Sequence, residues 1–370
     1  MMKILILNYE FPPLGGGASP VSYEIAKRYA HKGYGVDVVT MNYKGLPSYE
    51  VFEGINVYRV KCLRNKTESC ETYEMLTYVI SAISFLRSRL KKVKYDYCHC
   101  HFLVPTGIVA LFLKIFYSLN YIVTIHGSDV PGYNSDRFTF EHKFTRPLLS
   151  LVGRNAKKVC SPSLFLQELA EQNIGSLNFM HVPNGIDLEE FKPDLSKPKE
   201  RIILSSGRLV KRKGFQTLIK AVHDISLPYE VHIAGDGPFR GELEAMAKGS
   251  KTRVIFHGWL EKGSQKLLDL YERASIYVLV SSKENASIAL LEGMAARCAI
   301  ISTSISGCPE TVGDAGFLID FDDQERLKQI LIDLCSDEKK IKDYADRAYN
   351  RLLEEFLWER SCEKYIEAFN

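Results

Sequence analysis

Two glutamates, Glu284 and Glu292, lie eight positions apart in the stretch SSKENASIALLEGMA. The run ASIYVLVSS predicts a strand, and ASIALLEGMAA predicts a helix that begins just after Glu284. The first N–H groups of such a helix lack backbone partners and favour an anion such as a pyrophosphate; here they belong to Ala286, Ser287 and Ile288. Eight residues of helix rise about 12 Å. The carboxylates can therefore reach opposite sides of a pyrophosphate, which fits a nucleoside diphosphate sugar with its sugar at Glu284 and its ribose at Glu292.

A second candidate is the pair of cations that follows the predicted strand RIILSSG. Arg208 comes directly after the strand, and Lys213 follows five positions later. A guanidinium offers a planar fork of donors and an ammonium offers a point charge, so together they suit one diphosphate group. For the neighbouring Lys211 and Arg212, a solvated surface position is the better interpretation.

Three consecutive glycines follow the first predicted strand in FPPLGGGASP. Gly15, Gly16 and Gly17 let the backbone approach a ligand closely, and the helix predicted from about Ser19 adds a partial positive charge. The spacing differs from the G-x-G-x-x-G of dinucleotide-binding folds, and no P-loop Lys-Ser/Thr pair follows. The loop is therefore either a phosphate-binding segment or a flexible connection.

Histidines near strand ends are the remaining candidates. His126 in IHGSDV follows an apolar strand and precedes a glycine turn. A neutral imidazole there either hydrogen-bonds a sugar hydroxyl and stabilises a departing group, or is a structural residue satisfied by the neighbouring backbone. The run CHCH at 98–101 has the residue types of a zinc site, but successive strand residues point to opposite faces, so one ion cannot bind all four.

The elements that must position these residues follow from the alternation of apolar runs with helical patterns. The first series of predicted strands is KILILN, GVDVVT, INVYRV, YDYCHC, YIVTI, KKVCSP and NFMHVP, and the second is RIILSSG, YEVHIAG, RVIFHG, ASIYVLVSS, CAIIST and GFLID. Two such series predict two doubly wound parallel-sheet domains of the Rossmann-like type, joined through the proline-rich stretch 183–200. Ligands of such sheets bind beyond the carboxyl ends of the strands, where the candidate residues lie.

Length and composition agree with this organisation and exclude several function classes. A chain of 370 residues exceeds the about 250 to 300 residues at which a single core stops growing. The net charge of +3 is too small to indicate nucleic acid binding. Nine cysteines without a predicted leader indicate reduced thiols in a cytoplasmic protein. The apolar run in MMKILILN is too short for a signal peptide and predicts a strand, and no run is long enough to span a membrane.

A cluster of cations lies at the end of a predicted amphipathic helix, in FLRSRLKKVK at residues 85–94. Cations are favoured near a helix C-terminus, so a solvated helix face is one interpretation of this cluster. Contact with anionic lipid headgroups is the other, and it predicts peripheral association with the inner face of a membrane. The sequence leaves both open.

Jointly, these motifs resemble glycosyltransferase family 4, whose members are retaining enzymes with the GT-B fold. The resemblance runs over nearly the whole chain, through FPPLGGG, HFLVPTGIVALFLK, TIHGSD, VPNGIDLEEF, GRLVKRKGF, AGDGPFRGELE, FHGWL, ENASIALLEGMA, SGCPETV and FLWERSCEKY. It implies two catalytic residues, Glu284 at the sugar hydroxyls and His126 near the reacting carbon. The donor-binding residues that it implies are Gly16 and Gly17 near the phosphate, Arg208 and Lys213 at the diphosphate, Glu292 at the ribose, and Gly235 and Gly237 beside the base.

The function that this resemblance implies is transfer of a sugar from a nucleoside diphosphate donor to a hydroxyl acceptor, in polysaccharide, lipopolysaccharide or glycolipid assembly. Residues 1–188 would form the acceptor-side domain and 189–355 the donor-side domain, with the site in a cleft between them and a helix at about 356–370 returning to the first domain. The acceptor would be a sugar or a lipid-linked sugar. The alternatives are a nucleotide-sugar epimerase on the same fold and a nucleotide-sugar-binding protein without turnover.

No cofactor or metal ion is expected. Asp320-Phe321-Asp322 spells the D-x-D that binds a divalent ion in other glycosyltransferases, but here it precedes a helix and predicts capping and turn chemistry. The cations Arg208 and Lys213, with helix N–H groups, already supply the positive field that an ion would provide.

The chain departs from the family pattern at two places near the glutamates. Asn285-Ala286-Ser287 stands where the family often has Phe-Gly, so the shape of that loop is not fixed by the resemblance. At the end of the helix, the usual A-x-G-x-P becomes AARCA at 295–299. A left-handed residue at the helix end would then fall on Arg297, at a cost of about 1 kcal/mol.

Overall fold

The computed structural model describes residues 2–133 and 139–370. Its chain forms two compact units, of which unit 1 comprises Met1–Pro183 and Trp358–Asn370 and unit 2 comprises Asn184–Leu357. The chain therefore leaves unit 1, builds unit 2 and returns. The sequence places these limits a few residues away, at 188 and 355.

Unit 1 is built on an eight-stranded sheet with the order β3-β4-β2-β1-β5-β6-β7-β8 in the described residues. Its strands are β1 Lys3–Leu7, β2 Gly35–Met41, β3 Tyr49–Phe52, β4 Ile55–Val60, β5 Tyr97–His101, β6 Tyr121–Thr124, β7 Val159–Ser161 and β8 Phe179–His181. All neighbours pair in parallel except β3 and β4, an antiparallel pair at one edge. The sequence does not predict β3, because its four residues are mostly exposed and lack the buried apolar run of the other strands.

The helices of unit 1 follow the strands in the expected alternation. They are α1 Ala18–His31, α2 Thr72–Arg89, α3 Thr106–Tyr117, α4 Thr139–Asn155 and α5 Leu164–Ile174. The most apolar stretch of the sequence forms α3 followed by the buried strand β6, as its interruption by polar residues predicts. In the described residues, no helix combines the length and the apolar character needed to cross a bilayer.

Unit 2 is built on a six-stranded parallel sheet with the order β11-β10-β9-β12-β13-β14. Its strands are β9 Glu200–Ser206, β10 Glu230–Ala234, β11 Val254–Gly258, β12 Ala274–Leu279, β13 Ala299–Thr303 and β14 Gly316–Ile319. Its helices are α6 Phe215–His223, α7 Arg240–Ala247, α8 Gln265–Arg273, α9 Ile288–Ala295, α10 Cys308–Val312, α11 Gln324–Ser336 and α12 Glu338–Glu355. The carboxyl ends of β10, β9 and β12 therefore lie side by side, which is where ligands of such sheets bind.

The last helix, α13 Trp358–Phe369, belongs to unit 1 although it follows unit 2 in the chain. It packs on α1, where the rings of Tyr29 and Phe369 lie 5.8 Å apart between centroids. Lys157 donates to the carbonyl oxygen of Phe369 at 2.6 Å. Trp358, Tyr365 and Phe369 are all buried in one apolar cluster with residues of α1, β1 and β2.

The end of α9 has the left-handed residue that the departure from the family pattern predicts. Arg297 has a φ of 52°. Its guanidinium lies 4.5 Å from the ring centroid of Tyr349 on α12 and 3.6 Å from a carboxylate oxygen of Asp346. These contacts offset part of the about 1 kcal/mol that a non-glycine residue costs in this conformation.

Candidate active site

The segment after β9 carries the predicted diphosphate-binding cations. β9 ends at Ser206, and Arg208 follows with an exposed side chain. In the part of the chain that the structure describes, the Arg208 guanidinium has no hydrogen-bond or ion-pair partner. A fork of charged donors at the carboxyl end of a central strand is therefore open to an anion.

A 3-10 turn, Lys211–Lys213, folds the next residues against the segment that follows β12. The turn ends at Gly214, where a Cβ would lie 1.9 Å from the carbonyl oxygen of Val280. Only glycine allows this approach, and its φ of 75° is also one that glycine adopts readily. The N–H of Ser282 donates to the carbonyl of Arg212 at 2.8 Å and fixes the two segments together.

This packing brings Lys213 into contact with Glu284. The ammonium of Lys213 forms an ion pair with Oε1 of Glu284, and the two side chains are only 16% and 11% exposed. Because neither charged group is fully hydrated, each is stabilised by the opposite charge of the other, and removing one would leave the other charge buried without a partner. The pair joins the residue assigned to the diphosphate with the one assigned to the sugar. A bound diphosphate would therefore compete with Glu284 for the Lys213 ammonium.

α9 begins at Ile288, three residues further along the chain than the start predicted just after Glu284. Its N-cap is Ser287, whose side chain makes no capping hydrogen bond, and its first turn contains no acidic residue. The N–H of Gly307 donates to the Glu284 carbonyl at 2.9 Å and holds the preceding loop. The sequence predicts the first helical donors at Ala286, Ser287 and Ile288, but the helix begins later, so Ala286 lies before the N-cap and the open donors are the N–H groups of Ser287, Ile288 and Ala289. These donors, and the positive end of the helix dipole, are presented to an anion.

Glu292 lies on α9, four residues after Ile288, at the end of a buried chain of hydroxyl groups. The Tyr271 hydroxyl donates to Oε2 of Glu292 at 2.9 Å. Ser206 Oγ lies 2.8 Å from that hydroxyl and 2.9 Å from the Tyr277 hydroxyl. This chain links Glu292 to the carboxyl end of β9, two residues before Arg208.

Burial dominates the electrostatics of Glu292. The residue is only 9% exposed, and desolvation raises the pKa of its carboxyl. The positive charge of Lys262 and the hydrogen bond from Tyr271 both oppose this rise without overcoming it. The carboxylate is thus held in a place where its charged form costs free energy, which is typical of residues kept for binding or catalysis.

Sequence reasoning misses the three hydroxyl groups that support Glu292. Tyr271 lies on α8, Tyr277 lies on β12 and Ser206 ends β9, so they meet only in the folded unit. Each follows the ordinary apolar periodicity of its element, and no short motif marks it. A large hydroxyl-bearing side chain in the middle of a buried strand, as in ASIYVLV, is the one feature that could have indicated a buried partner.

Gly235 and Gly237 let the loop after β10 lie against the loop after β9. A Cβ on Gly235, whose φ is 151°, would lie 1.9 Å from the carbonyl oxygen of Gly207. One on Gly237 would lie 2.4 Å from the carbonyl oxygen of Leu209. Close backbone packing therefore explains both glycines, and their position beside the base stays a prediction.

In unit 1, His126 follows β6 and its side chain is partly exposed. Its backbone N–H donates to Oδ1 of Asp129 at 3.0 Å, and the N–H of Gly127 donates to the same oxygen at 3.1 Å. The second Asp129 oxygen accepts from the Leu103 N–H at 3.0 Å. Desolvation lowers the pKa of His126 to about 3, so its ring is neutral at physiological pH.

The histidines of CHCH confirm the alternation of faces on β5. Cys98 and Cys100 belong to one apolar cluster, while the rings of His99 and His101 stack on the other face with centroids 4.5 Å apart. His101 continues the stack to His126, and Nδ1 of His101 lies 3.0 Å from Nε2 of His126.

The glycine loop of unit 1 has one glycine that its conformation requires. Gly15 has a φ of 98°, and a Cβ there would lie 2.4 Å from the Cβ of Glu10. Gly16 and Gly17 are exposed, with no atom in the way of a side chain. The N–H of Gly16 donates to a Glu10 carboxylate oxygen at 3.3 Å. An anion at this loop would have to displace that carboxylate, and the predicted phosphate contact of Gly16 and Gly17 stays a prediction.

The D-x-D residues form local hydrogen bonds. Ser304 donates its hydroxyl to Asp320 at 2.7 Å, and Thr217 donates its hydroxyl to Asp322 at 2.8 Å. The cap of α11 is the next residue, Asp323, whose side chain accepts from the Arg326 N–H at 2.9 Å. Turn and capping chemistry therefore involve three aspartates, Asp320, Asp322 and Asp323, and the cap itself lies one residue later than predicted.

Taken together, the fold and the site define a protein of two parallel-sheet units, with cationic side chains and helix N–H groups at one edge of the second sheet. Two sequence profiles match the chain, one for "Glycosyltransferase Family 4" over residues 15–190 and one for "Glycosyl transferases group 1" over residues 187–351. These matches run consecutively through both units. The chain belongs to glycosyltransferase family 4 and is a glycosyltransferase with the GT-B fold.

Individual relatives are similar to this chain over most of their own length. An uncharacterised glycosyltransferase of Methanocaldococcus jannaschii is 28% identical over 84% of this chain and 83% of its own. The N-acetyl-alpha-D-glucosaminyl L-malate synthase of Bacillus anthracis is 25% identical over 98% of this chain and 95% of its own. Among solved structures, Anabaena HepE in complex with UDP has a TM-score of 0.77 at 18% identity, covering 99% of each chain.

Proposed function

We propose that this protein is a retaining glycosyltransferase that binds a nucleoside diphosphate sugar on unit 2 and transfers the sugar to a hydroxyl acceptor. The observation that carries the proposal is the arrangement of Arg208, Lys213 and Glu284 beside the uncapped start of α9. An unpartnered guanidinium, an ammonium and helix N–H groups together suit a diphosphate. The carboxylate in contact with the ammonium suits the hydroxyls of the adjoining sugar.

In this scheme the residues of the site divide the work between binding and chemistry. Arg208 and Lys213 neutralise the diphosphate, whose negative charge increases as the bond to the sugar breaks. Glu284, released from Lys213 by the incoming phosphate, orients the sugar hydroxyls and stabilises positive charge on the ring. Glu292 binds the ribose through its free oxygen, and His126 hydrogen-bonds the sugar. Anabaena HepE, whose fold is similar, has been solved in complex with UDP-glucose, which is a nucleotide sugar.

Incubation with labelled nucleotide sugars, with and without acceptors, tests the proposal. Transfer of label to an acceptor with retained anomeric configuration supports it, and the Glu284→Gln variant serves as the inactive control. Conversion of the nucleotide sugar without an acceptor would identify an epimerase instead. Binding without any product would identify a non-catalytic protein. A thermal-shift panel of nucleotide sugars selects the donors to use.

We also propose that transfer requires no metal ion, because cationic side chains and helix N–H groups occupy the role that an ion would take. Asp320 and Asp322 already accept hydroxyl hydrogen bonds, which agrees with this proposal. The expected result is full activity after dialysis against EDTA. Activity that is lost with EDTA and restored by Mg²⁺ or Mn²⁺ would contradict it.

For the acceptor, we propose a lipid-linked sugar that unit 1 meets at an anionic membrane surface. Exposed apolar side chains follow helical spacing along α2, with Tyr73, Leu76 and Ile80 exposed by 50%, 58% and 70%. Exposed cations continue beyond them, at Arg87, Lys91, Lys92 and Lys94. An apolar stripe that runs into a cationic cluster suits an interface with anionic lipids.

One cation of the predicted cluster takes no part in this surface. Arg89 turns inward, donates to Asp37 at 2.9 Å and lies over the Tyr58 ring at 4.6 Å. Flotation with vesicles containing anionic lipid at low salt tests the remaining surface, with neutral vesicles as the comparison. Flotation that persists in a variant combining Arg87→Glu with Lys91→Glu, or its absence in the wild type, would favour the solvated-face interpretation.

A further inference from the structure

The stack of three histidines in unit 1 contains an imidazole to which the proposed function gives no role. His101 is fully buried, and its Nε2 has no hydrogen-bond partner in the described residues. Its Nδ1 lies 3.0 Å from Nε2 of His126. On the other side of the stack, both ring nitrogens of His99 have hydrogen-bond partners of their own. Nε2 lies 2.8 Å from Thr124 Oγ1, and Nδ1 lies 3.2 Å from the Tyr29 hydroxyl.

One proton lies between Nδ1 of His101 and Nε2 of His126. Which of the two nitrogens carries it follows from the other hydrogen-bond partners of the two rings. Desolvation keeps both imidazoles neutral, because it lowers the pKa of the partly exposed His126 to about 3 and that of the buried His101 well below its usual value. Each neutral ring carries one N–H. If His126 donated from Nε2, the proton of His101 would sit on its buried Nε2 as an N–H without an acceptor. Among backbone groups, buried N–H donors without partners are rarer than buried acceptors without partners, and we apply the same preference to the two imidazoles.

The opposite arrangement leaves only an unpaired acceptor in the interior. His101 then donates Nδ1–H to Nε2 of His126, and the proton of His126 must sit on Nδ1. The nearby carboxylate does not alter this assignment, because Asp129 accepts the backbone N–H groups of His126, Gly127 and Leu103 and, in the described part of the chain, makes no hydrogen bond to the His126 ring. Among the described residues, Nδ1 of His126 has no partner, and the side chain is partly exposed.

We propose that His101 is a positioning residue that fixes His126 as its Nδ1–H tautomer and so presents an N–H donor to an oxygen of the donor sugar. The role at the sugar rests on the proposed function, whereas the tautomer assignment does not. In this state His126 cannot accept a proton through Nδ1, so it acts by donating a hydrogen bond and not as a general base.

The tautomer can be read directly from the full-length protein labelled with ¹⁵N-histidine. Long-range ¹H–¹⁵N correlation at neutral pH distinguishes a protonated Nδ1 from a protonated Nε2, and His126→Gln identifies the signals of His126 by their loss. The wild type is expected to show Nδ1–H with an unprotonated Nε2 at His126. His101→Asn, whose amide nitrogen can replace Nδ1 as donor, should keep this pattern. His101→Leu should shift His126 toward Nε2–H.

Activity provides the second readout. A neutral hydrogen bond lost from the sugar should lower kcat/KM about 3- to 10-fold in His101→Leu, with recovery in His101→Asn. His99→Gln, which alters the stack away from His126, should leave the His126 spectrum unchanged. An Nε2–H tautomer in the wild type, or an unchanged tautomer in His101→Leu, overturns the proposal. A wild type without glycosyl transfer refutes the proposed function, while the nitrogen spectrum still decides the role of His101 in setting the tautomer.

Discussion

Replacing Glu292 by glutamine should make the protein more stable and less able to bind its donor. The carboxyl is buried, and burial raises its pKa more than Lys262 and the Tyr271 hydroxyl lower it. The raised pKa means that the interactions of the ionised carboxylate do not repay its desolvation. Glutamine has nearly the same shape, and its amide oxygen can still accept from Tyr271. The variant therefore removes a buried charge and keeps the hydrogen bond.

The size and pH dependence of the effect follow from the same groups. Loss of the charge removes part of a desolvation penalty of several kcal/mol, whereas the Tyr271 hydrogen bond weakens by about 1 kcal/mol when its acceptor becomes neutral. We expect a net gain of about 0.5 to 2 kcal/mol in the free energy of unfolding at neutral pH. A carboxyl with a raised folded pKa is destabilising above that pKa, and this penalty disappears as the pH falls toward the unfolded value, about 4.3. The two proteins should therefore converge in stability near pH 4.

Urea unfolding at several pH values measures the first half of this prediction, and steady-state kinetics measures the second. If Glu292 binds the ribose equally in the ground and transition states, the glutamine variant should raise the donor KM and leave kcat nearly unchanged. Tyr271→Phe is the matched control, because it removes the donor and leaves the charge, and it should destabilise by about 1 to 3 kcal/mol. A glutamine variant that is less stable than the wild type at pH 7, or that has an unaltered donor KM, would refute the reasoning.

Three further variants test other parts of unit 2. Glu284→Gln should keep donor affinity but lose turnover by roughly 10² to 10³, and normal turnover in the folded variant would remove its catalytic role. Arg208→Ala should weaken binding of a nucleoside diphosphate by about 1.5 to 3 kcal/mol in calorimetry, with the exposed Arg212→Ala as the control that should bind normally. Gly235→Ala should destabilise unit 2 by about 1 to 3 kcal/mol, because its Cβ would meet the Gly207 carbonyl; a melting temperature equal to that of the wild type would contradict this.

The fold could be predicted from the sequence to the extent that its strands are buried on both faces. Many of the thirteen predicted strands, such as KILILN, RIILSSG and ASIYVLVSS, contain a run of apolar residues, and parallel sheets covered by helices produce such runs. β3 was beyond this reasoning because it is an exposed edge strand of four residues. Arg297 could be placed in the left-handed region because the helix end, and not the residue type, sets the backbone there.

The candidate site could be predicted only where residues lie next to strand ends in the chain. The short distance along the chain between β9 and Arg208 and Lys213, and between β12 and Glu284, was enough to predict that these residues lie at one edge of the sheet. The direct ion pair between Lys213 and Glu284 was not, because it depends on how the turn at Gly214 packs against Val280. The hydroxyl chain behind Glu292 joins three separate elements and leaves no pattern in any one of them.

The return of the chain to unit 1 imposes an order on its synthesis. A ribosome releases residues from the N-terminus, so Tyr29 on α1 and the other residues that α13 covers are made long before Trp358, Tyr365 and Phe369. Throughout the synthesis of unit 2, the apolar surface of unit 1 that α13 covers is therefore exposed, because the residues of α13 have not yet been made. Unit 1 can complete its core only after unit 2 has left the ribosome, and a nascent chain of this protein is most exposed to aggregation and to chaperones in that interval.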